Sequence, residues 1–192
     1  MPIARLLSTV FQPILTGVYL LVTVSALSAP SWRSAVAWGA TTSLLAAGLP
    51  AADLARRVRA RRVADFHLAL REQRLRPLLI ALLASALSLA LVAALDGPRP
   101  LEVTLTAALV NGTVLTMTTV RWKVSFHAAT AAGSLIILWW MLGSMSALLA
   151  PLVPAIGWSR VALGRHNPNQ VVVGAAAGVI LTGSVLLLGA RL

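Results

Sequence analysis

Long apolar runs constrain what this chain can fold into more than any other feature of its sequence. The stretches 77–95 and 168–189 both reach the roughly 18–20 apolar residues that span a bilayer as an α-helix. Of the 192 residues, 58% are hydrophobic and 11% are charged, whereas soluble domains contain about 25% charged residues. We therefore predict an all-α fold, a polytopic membrane helix bundle with six to seven transmembrane helices that forms one domain over residues 1–192.

Polar and proline-containing borders place the individual spans. Phe11-Gln12-Pro13 predicts a kink or entry point in the first span, and Gly48 with Pro50 loosens the end of the second. Gly174 and Gly178, one helical turn apart, predict close packing of the last span on another helix. The predicted spans are residues 5–28, 34–53, 77–95, 101–120, two short spans between 127 and 160, and 168–189.

Positive charge is concentrated in a loop of about residues 55–76 between two spans. The net charge of +11 does not indicate a nucleic-acid partner, because arginine-rich loops in membrane proteins follow from the positive-inside rule. That rule places the loop in the cytoplasm, where Arg56–Arg62 would contact anionic lipids. Two spans separate this loop from the segment around His127, and two more separate that segment from His166. All three polar segments are therefore predicted on the cytoplasmic side.

Acidic residues and cysteines are too few for the common metal sites. The five acidic residues, Asp53, Asp65, Glu72, Asp96 and Glu102, are not paired within a span, and the chain contains no cysteine. A carboxylate-bound Mg²⁺ site is difficult to build from them, and thiolate chemistry is excluded. We therefore expect neither a metal nor a cofactor, which argues against a metal-dependent phospholipid synthase.

Two of the three histidines lie in matching positions, each just before an apolar run that is predicted to be a membrane helix. His127 follows Lys123 and precedes a run of small residues, whereas His166 follows Arg160 and precedes another apolar run. Hydrolysis of a phosphate ester needs cations that hold the oxyanion, one group that attacks and one that protonates the leaving group. The third histidine, His67, is predicted to be an ordinary loop residue.

The residues after His166 are typical of a helix start. Asn167 suits an N-cap and Pro168 the first helical turn. His166 is therefore predicted at a helix N-terminus, where free N–H groups and the helix dipole favour a bound anion and a neutral imidazole. Gln170, three residues after Asn167, can complete a capping box.

These segments resemble the signatures of the phosphatidic acid phosphatase type 2 superfamily. Ser159-Arg160, five residues and His166 match its third signature, and Val124-Ser125-Phe126-His127 is similar to its second, Pro-Ser-Gly-His. The layout also resembles a bacterial and archaeal branch of the family over nearly the whole chain. That branch carries Asp-x-His, Arg-x-x-Arg-x-x-Pro, Lys-[Ile/Val]-Ser-x-His and Arg with His-x-x-x-Gln, which correspond here to 65–67, 71–77, 123–127 and 160–170.

The resemblance implies a metal-independent lipid phosphate phosphatase that is a multi-pass protein of the plasma (inner) membrane of a prokaryote. It implies that His166 is the nucleophile, which forms a phosphohistidine, and that His127 is the general acid. It also implies that Gln170 orients His166. The residues that would bind the phosphoryl oxygens are Arg160, Lys123, Ser125, Ser159, Arg71, Arg74 and Arg76.

Three positions depart from the pattern of the family. Ala69 stands where the first signature has lysine, Phe126 where the second has glycine, and Gln170 where the third has aspartate. A neutral amide accepts the imidazole N–H but supplies no charge, and Asp→Asn in the serine-protease triad costs about 10⁴ in rate. These departures motivate an alternative, namely a non-catalytic relative that binds or transports an anionic lipid or phosphate.

The sequence leaves the lipid open. Polyprenyl phosphates, phosphatidate and phosphatidylglycerophosphate are all compatible with a lining of Leu, Ala and Val, and an isoprenoid chain could lie against Trp139-Trp140. The expected partners are the lipid bilayer and a lipid phosphate substrate. The sequence does not determine the oligomeric state.

Overall fold

The described part of the chain is mainly α-helical. The computed structural model describes residues 1–60 and 75–189, and no strand occurs within these two ranges. A π-helical turn at Leu44–Gly48 joins α3 to α4, and a 3₁₀ segment at Gly143–Leu149 follows α7. The helices are α1 (Pro2–Val10), α2 (Pro13–Ser28), α3 (Trp32–Ser43), α4 (Leu49–Arg59), α5 (Leu75–Ala94), α6 (Arg99–Arg121), α7 (Phe126–Leu142), α8 (Leu152–Ala162) and α9 (Pro168–Gly189).

Five helical segments of the described ranges are long and apolar enough to cross a membrane, and α1 with α2 makes a sixth if this bent pair is one span. The chain is therefore a multi-pass membrane protein, and the predicted all-α membrane bundle is confirmed. The count of five to six meets the lower end of the predicted range. One predicted short span is absent from it because α8 has 11 residues, roughly 16 Å of helix, whereas the bilayer core is about 30 Å thick. The five segments are Trp32–Arg59, Leu75–Ala94, Arg99–Arg121, Phe126–Leu149 and Pro168–Gly189.

The predicted kink in the first span lies between α1 and α2. The axes of these helices differ by 52°. Pro13 begins α2, and its ring lacks the N–H that would continue the hydrogen-bond ladder of α1. The amide of Gln12 donates to the carbonyl of Thr9 at 3.4 Å, so the last turn of α1 tightens before the chain changes direction.

A second proline explains the π-helical turn. Pro50 follows Leu44–Gly48 directly after Leu49 and cannot donate to the carbonyl one turn earlier. The missing donor and the steric demand of the ring are typical causes of a helix irregularity at this spacing. The helix nevertheless continues to Arg59, so the loosening predicted at Gly48 and Pro50 is a local widening within one long segment.

The chain packs as two compact units. One comprises Met1–Leu20 with Thr106–Leu192, and the other comprises Leu21–Leu105. Within the second unit, α3 packs on α2 at Gly39, where a Cβ would lie 3.5 Å from the Cα of Val22, an ordinary van der Waals contact. The single-domain organisation stays a prediction.

In the first unit, small residues allow the backbones of α7 and α9 to come into direct contact. A Cβ built on Gly174 would lie 2.6 Å from the carbonyl oxygen of Ser125, and one on Gly178 would overlap the carbonyl of Ala129. A polar contact adds to this packing, because Nδ2 of Asn111 on α6 donates to Oγ1 of Thr182 on α9 at 3.1 Å. The close packing predicted from the two glycines is thus observed.

We expect Gly178→Ala to destabilise the protein by about 1–3 kcal/mol, because the added methyl group forces α7 and α9 apart at a backbone carbonyl. Thermal unfolding in detergent would measure the change. Gly183→Ala is the matched control on the same helix, since a Cβ there meets no protein atom within 4 Å. Equal unfolding temperatures for the two variants would contradict the close approach.

Candidate active site

Two segments that are far apart in sequence meet where α7 and α9 begin. The backbone N–H of Ser125 donates to the carbonyl of Gln170 at 3.1 Å. Nζ of Lys123 donates to the carbonyl of Arg165 at 2.5 Å. These contacts bring the segment that contains His127 to the segment that contains His166, within the first unit of the fold.

The local structure around His127 is set by a helix cap. Ser125 has an extended backbone and is the N-cap of α7, with its hydroxyl accepting from the N–H of Ala128 at 3.4 Å. His127 therefore lies in the first turn of α7. Its Nε2 is 3.2 Å from the backbone carbonyl of Ser8, near the end of α1. Because a carbonyl oxygen can only accept, Nε2 of His127 carries a hydrogen.

The start of α9 forms the capping box that the sequence predicts. Oδ1 of Asn167 accepts from the N–H of Gln170 at 2.9 Å, and Oε1 of Gln170 accepts from the N–H of Asn167 at 3.2 Å. The same Oε1 is 3.1 Å from Nδ1 of His166. One oxygen of Gln170 therefore caps the helix and contacts the imidazole, and its orienting role for His166 stays a prediction.

This cap also determines the tautomer of His166. The N–H of Asn167 needs an acceptor, so the atom of the Gln170 amide that faces it must be oxygen. That oxygen can accept from Nδ1 of His166 but cannot donate to it. Nδ1 therefore carries the hydrogen of the neutral ring, and Nε2 retains its lone pair.

Arg160 holds both the turn before His166 and the end of α1. Its carbonyl accepts from the N–H of Arg165 at 3.0 Å and from the N–H of His166 at 3.2 Å. Gly164, with a φ of +65°, makes this tight reversal possible. The guanidinium is buried at 6% exposure, and its Nη1 donates to the hydroxyl of Ser8.

The two predicted serine ligands have local hydrogen-bonding roles. Ser125 and Ser159 are both fully buried. Ser125 caps α7, whereas the hydroxyl of Ser159 donates to the carbonyl of Ile156 at 2.6 Å within α8. Their contact with a phosphoryl group stays a prediction, as does that of Lys123.

Of the three arginines predicted from the first signature, Arg76 alone lies in the described part of the chain. Arg71 and Arg74 lie outside the part of the chain that the structure describes. Arg76 belongs to the second unit, where its exposed side chain is 3.6 Å from Oδ1 of Asp53. The role of all three in binding a phosphoryl group stays a prediction.

Sequence reasoning missed Ser8. It lies 119 residues before His127 and 152 residues before Arg160, and it is one of many serines in an apolar context. Its burial at 5% in α1 could have been anticipated only from the spacing of Ala4 and Ser8, which places two small residues on one helix face.

A series of contacts thus connects the two histidine residues. It runs from the backbone N–H of His166 to the carbonyl of Arg160, from the Arg160 guanidinium to the Ser8 hydroxyl, and from the Ser8 carbonyl to the His127 imidazole. In its neutral form the imidazole of His166 has an unprotonated Nε2, which suits a nucleophile, whereas Nε2 of His127 holds its hydrogen on the carbonyl of Ser8. Within residues 1–60 and 75–189, no group of three or more His, Cys, Asp or Glu side chains is placed to hold a metal ion.

The tautomer of His166 can be measured directly. In protein labelled with ¹⁵N-histidine, only three imidazoles report, and we expect His166 to be protonated at Nδ1. Gln170→Leu removes the acceptor, so the hydrogen should redistribute to Nε2, which is the more stable position in a free neutral ring. The signals of His67 and His127 are the internal controls. An Nε2-protonated His166 in the unaltered protein would contradict the assignment.

Comparison with known proteins relates this arrangement to one family. The sequence profile of the family described as PAP2 superfamily matches residues 73–191, more than half of the chain. This range contains His127, Arg160, His166 and Gln170, but it excludes α1 with Ser8. Curated proteins and solved structures contain no significant match.

Proposed function

The chain belongs to the PAP2 superfamily, and we propose that it is a lipid phosphate phosphatase acting on a phosphomonoester or diphosphate of a membrane lipid. The observation that carries this proposal is the network that links His166, Arg160 and His127. Hydrolysis of a phosphate ester requires a nucleophile, a cation and a proton donor, and the residues of this network include a candidate for each.

The proposed reaction has two steps. Nε2 of His166 attacks phosphorus, and the bond to the leaving oxygen breaks while His127 transfers a proton to that oxygen. The lipid alcohol leaves from a monoester, and the lipid monophosphate leaves from a diphosphate. Water then attacks the phosphohistidine and gives a proton to His127, and the phosphorus–nitrogen bond breaks to release inorganic phosphate and restore His166.

Cations and helix ends would hold the phosphoryl group. Arg160 presents a buried guanidinium, which binds phosphoryl oxygens more strongly in a water-poor site than at a surface. Lys123 lies where the two segments join, through its bond to Arg165. The N-termini of α7 and α9 add partial positive charge. Arg71, Arg74 and Arg76 are proposed as further cations in place of the lysine that Ala69 replaces.

The substrate is proposed to enter from the cytoplasmic leaflet of a prokaryotic plasma membrane. The positive-inside rule and the arginines at the end of α4 support this orientation: Arg56, Arg57 and Arg59 lie in its last turn. Polyprenyl phosphates, phosphatidate and phosphatidylglycerophosphate are the candidate lipids, because large apolar side chains face outward over much of the chain.

One observation favours a second candidate function. Gln170 is neutral, so the imidazolium that forms when His166 is attached to phosphorus lacks a carboxylate partner at this position. A protein with the same cations but a slow chemical step would bind or transport an anionic lipid or phosphate. Detection of a phosphorylated His166 separates the two functions.

We expect the purified protein to release phosphate from a lipid phosphate in the presence of EDTA, and His166→Ala to abolish this release because the nucleophile is lost. The measurement is colorimetric phosphate release from a panel of the three candidate lipids. His67→Ala is the matched control, since the proposal gives that histidine no role. Activity that survives in His166→Ala would exclude the phosphohistidine mechanism. Binding of a panel lipid without turnover would favour the second function.

Gln170→Asp should raise the rate of hydrolysis by at least about tenfold, because a carboxylate adds the negative charge that is missing beside Nδ1–H of His166. The corresponding effect in the serine-protease triad, about 10⁴, sets an upper bound. Gln170→Leu, which loses both hydrogen bonds of Oε1, should lower the rate. Steady-state kinetics on the preferred lipid would measure both changes. A slower Gln170→Asp enzyme with unchanged stability would show that charge at this position is not limiting.

A further inference from the structure

Helix α1 lies outside the matched family region but reaches the network at two atoms of one residue. The hydroxyl of Ser8 accepts from Nη1 of Arg160, and its backbone carbonyl accepts from Nε2 of His127 at 3.2 Å. Both partners are groups to which the proposed reaction assigns a role. Ser8 is therefore the residue through which α1 contacts His127 and Arg160.

The position of Ser8 within α1 makes its carbonyl available. The last carbonyls of an α-helix have no donor within the helix, and α1 ends at Val10. The amide of Gln12, which would be the donor one turn later, bonds to Thr9 instead. The carbonyl end of a helix also carries partial negative charge, which favours a cation such as the Arg160 guanidinium nearby.

The two faces of α1 suit a helix placed between the site and lipid. Ala4 and Ser8 face inward and are buried, so α1 can pack closely on α8, which carries Arg160. The large side chains of Ile3 and Leu6 are mostly exposed and face away from the protein. The face of α1 that carries Ala4 and Ser8 therefore lies against the site.

The contacts of the two histidines follow the same principle. A neutral oxygen of Gln170 holds Nδ1–H of His166, and a neutral oxygen of Ser8 holds Nε2–H of His127. An acceptor on one nitrogen fixes the ring orientation, and the proposed reaction uses the other nitrogen. For His127 this second nitrogen is Nδ1.

We propose that Ser8 is a positioning residue of the active site, whose carbonyl orients the general acid His127 and whose hydroxyl orients the phosphate-binding Arg160. The inference rests on the proposed phosphatase function and deepens it. In the reaction, His127 begins with hydrogen on both ring nitrogens, and it transfers the Nδ1 proton to the leaving oxygen while Nε2–H stays on the carbonyl of Ser8. Helix α1 thereby becomes a part of the active site that the family profile does not contain.

Ser8→Ala tests the hydroxyl, and kcat and KM on the preferred lipid are the readouts. We expect kcat to fall about 10- to 100-fold, equivalent to about 1.4–2.7 kcal/mol, with KM changed less than about threefold, because the loss affects the orientation of Arg160 in the transition state. Ser8→Thr keeps the hydroxyl and should restore kcat to within about threefold. Thr9→Ala, on the exposed face of the same turn, is the matched control and should leave both constants unchanged.

Three kinetic outcomes overturn the proposal: unchanged constants in Ser8→Ala, a change in KM alone, or a higher kcat. The last would mean that Ser8 blocks the site. Thermal unfolding of each variant separates these outcomes from a loss of folded protein.

The carbonyl contact has a test that needs no variant. In the unaltered protein labelled with ¹⁵N-histidine, Nε2 of His127 should carry hydrogen, and an unprotonated Nε2 overturns the proposal even if Ser8→Ala does not fold. A protein that releases no phosphate from any lipid would refute the proposed function instead. This imidazole measurement would still decide whether α1 orients His127.

Discussion

The close approach of α7 and α9 is the constraint on which the candidate site depends. Glycines on both helices let backbone meet backbone, so the N–H of Ser125 reaches the carbonyl of Gln170 and the two helix starts are fixed in register. Without that register, the capping groups of one helix and the imidazole of the other would not share a network. Close packing of small residues commonly joins helices in lipid. Here the same packing also brings together the two segments that contain His127 and His166.

Several polar groups of this network have a partner that suits their chemistry. Caps at Ser125 and Asn167 satisfy amides that helices leave open, and the carbonyl of Arg160 accepts two amides of the turn before His166. Unsatisfied polar groups are costly in an apolar environment, so this degree of pairing gives the residues few alternative positions. The rigidity that results is what a phosphoryl-transfer site needs, because misplacement of about 1 Å can cost about 10²-fold in rate.

Sequence patterns that depend only on neighbouring residues predicted much of this arrangement. Apolar runs indicated the spans, and Asn167 with Pro168 indicated the start of α9. Gly174 and Gly178 indicated a close helix contact. The count of spans was less accurate, since hydropathy alone does not reveal that α8 stops after 11 residues.

The contacts of Ser8 could not be predicted in this way. No periodicity or motif relates positions 152 residues apart, and a serine in a membrane helix has many possible partners. The function of the site residues likewise came from a resemblance to a family, because short helix-end motifs alone are compatible with anion binding of several kinds.

The sequence separation between Ser8 and Arg160 has a consequence for biosynthesis. Helix α1 leaves the ribosome before α8, because 152 residues separate Ser8 from Arg160. During that interval the hydroxyl of Ser8 lacks the Arg160 guanidinium as a hydrogen-bond donor, and α1 lacks α8, the helix on which it packs. The contact between α1 and α8 therefore forms only after α8 has been synthesised, and the arrangement of Arg160 and His127 around Ser8 is a late step of folding.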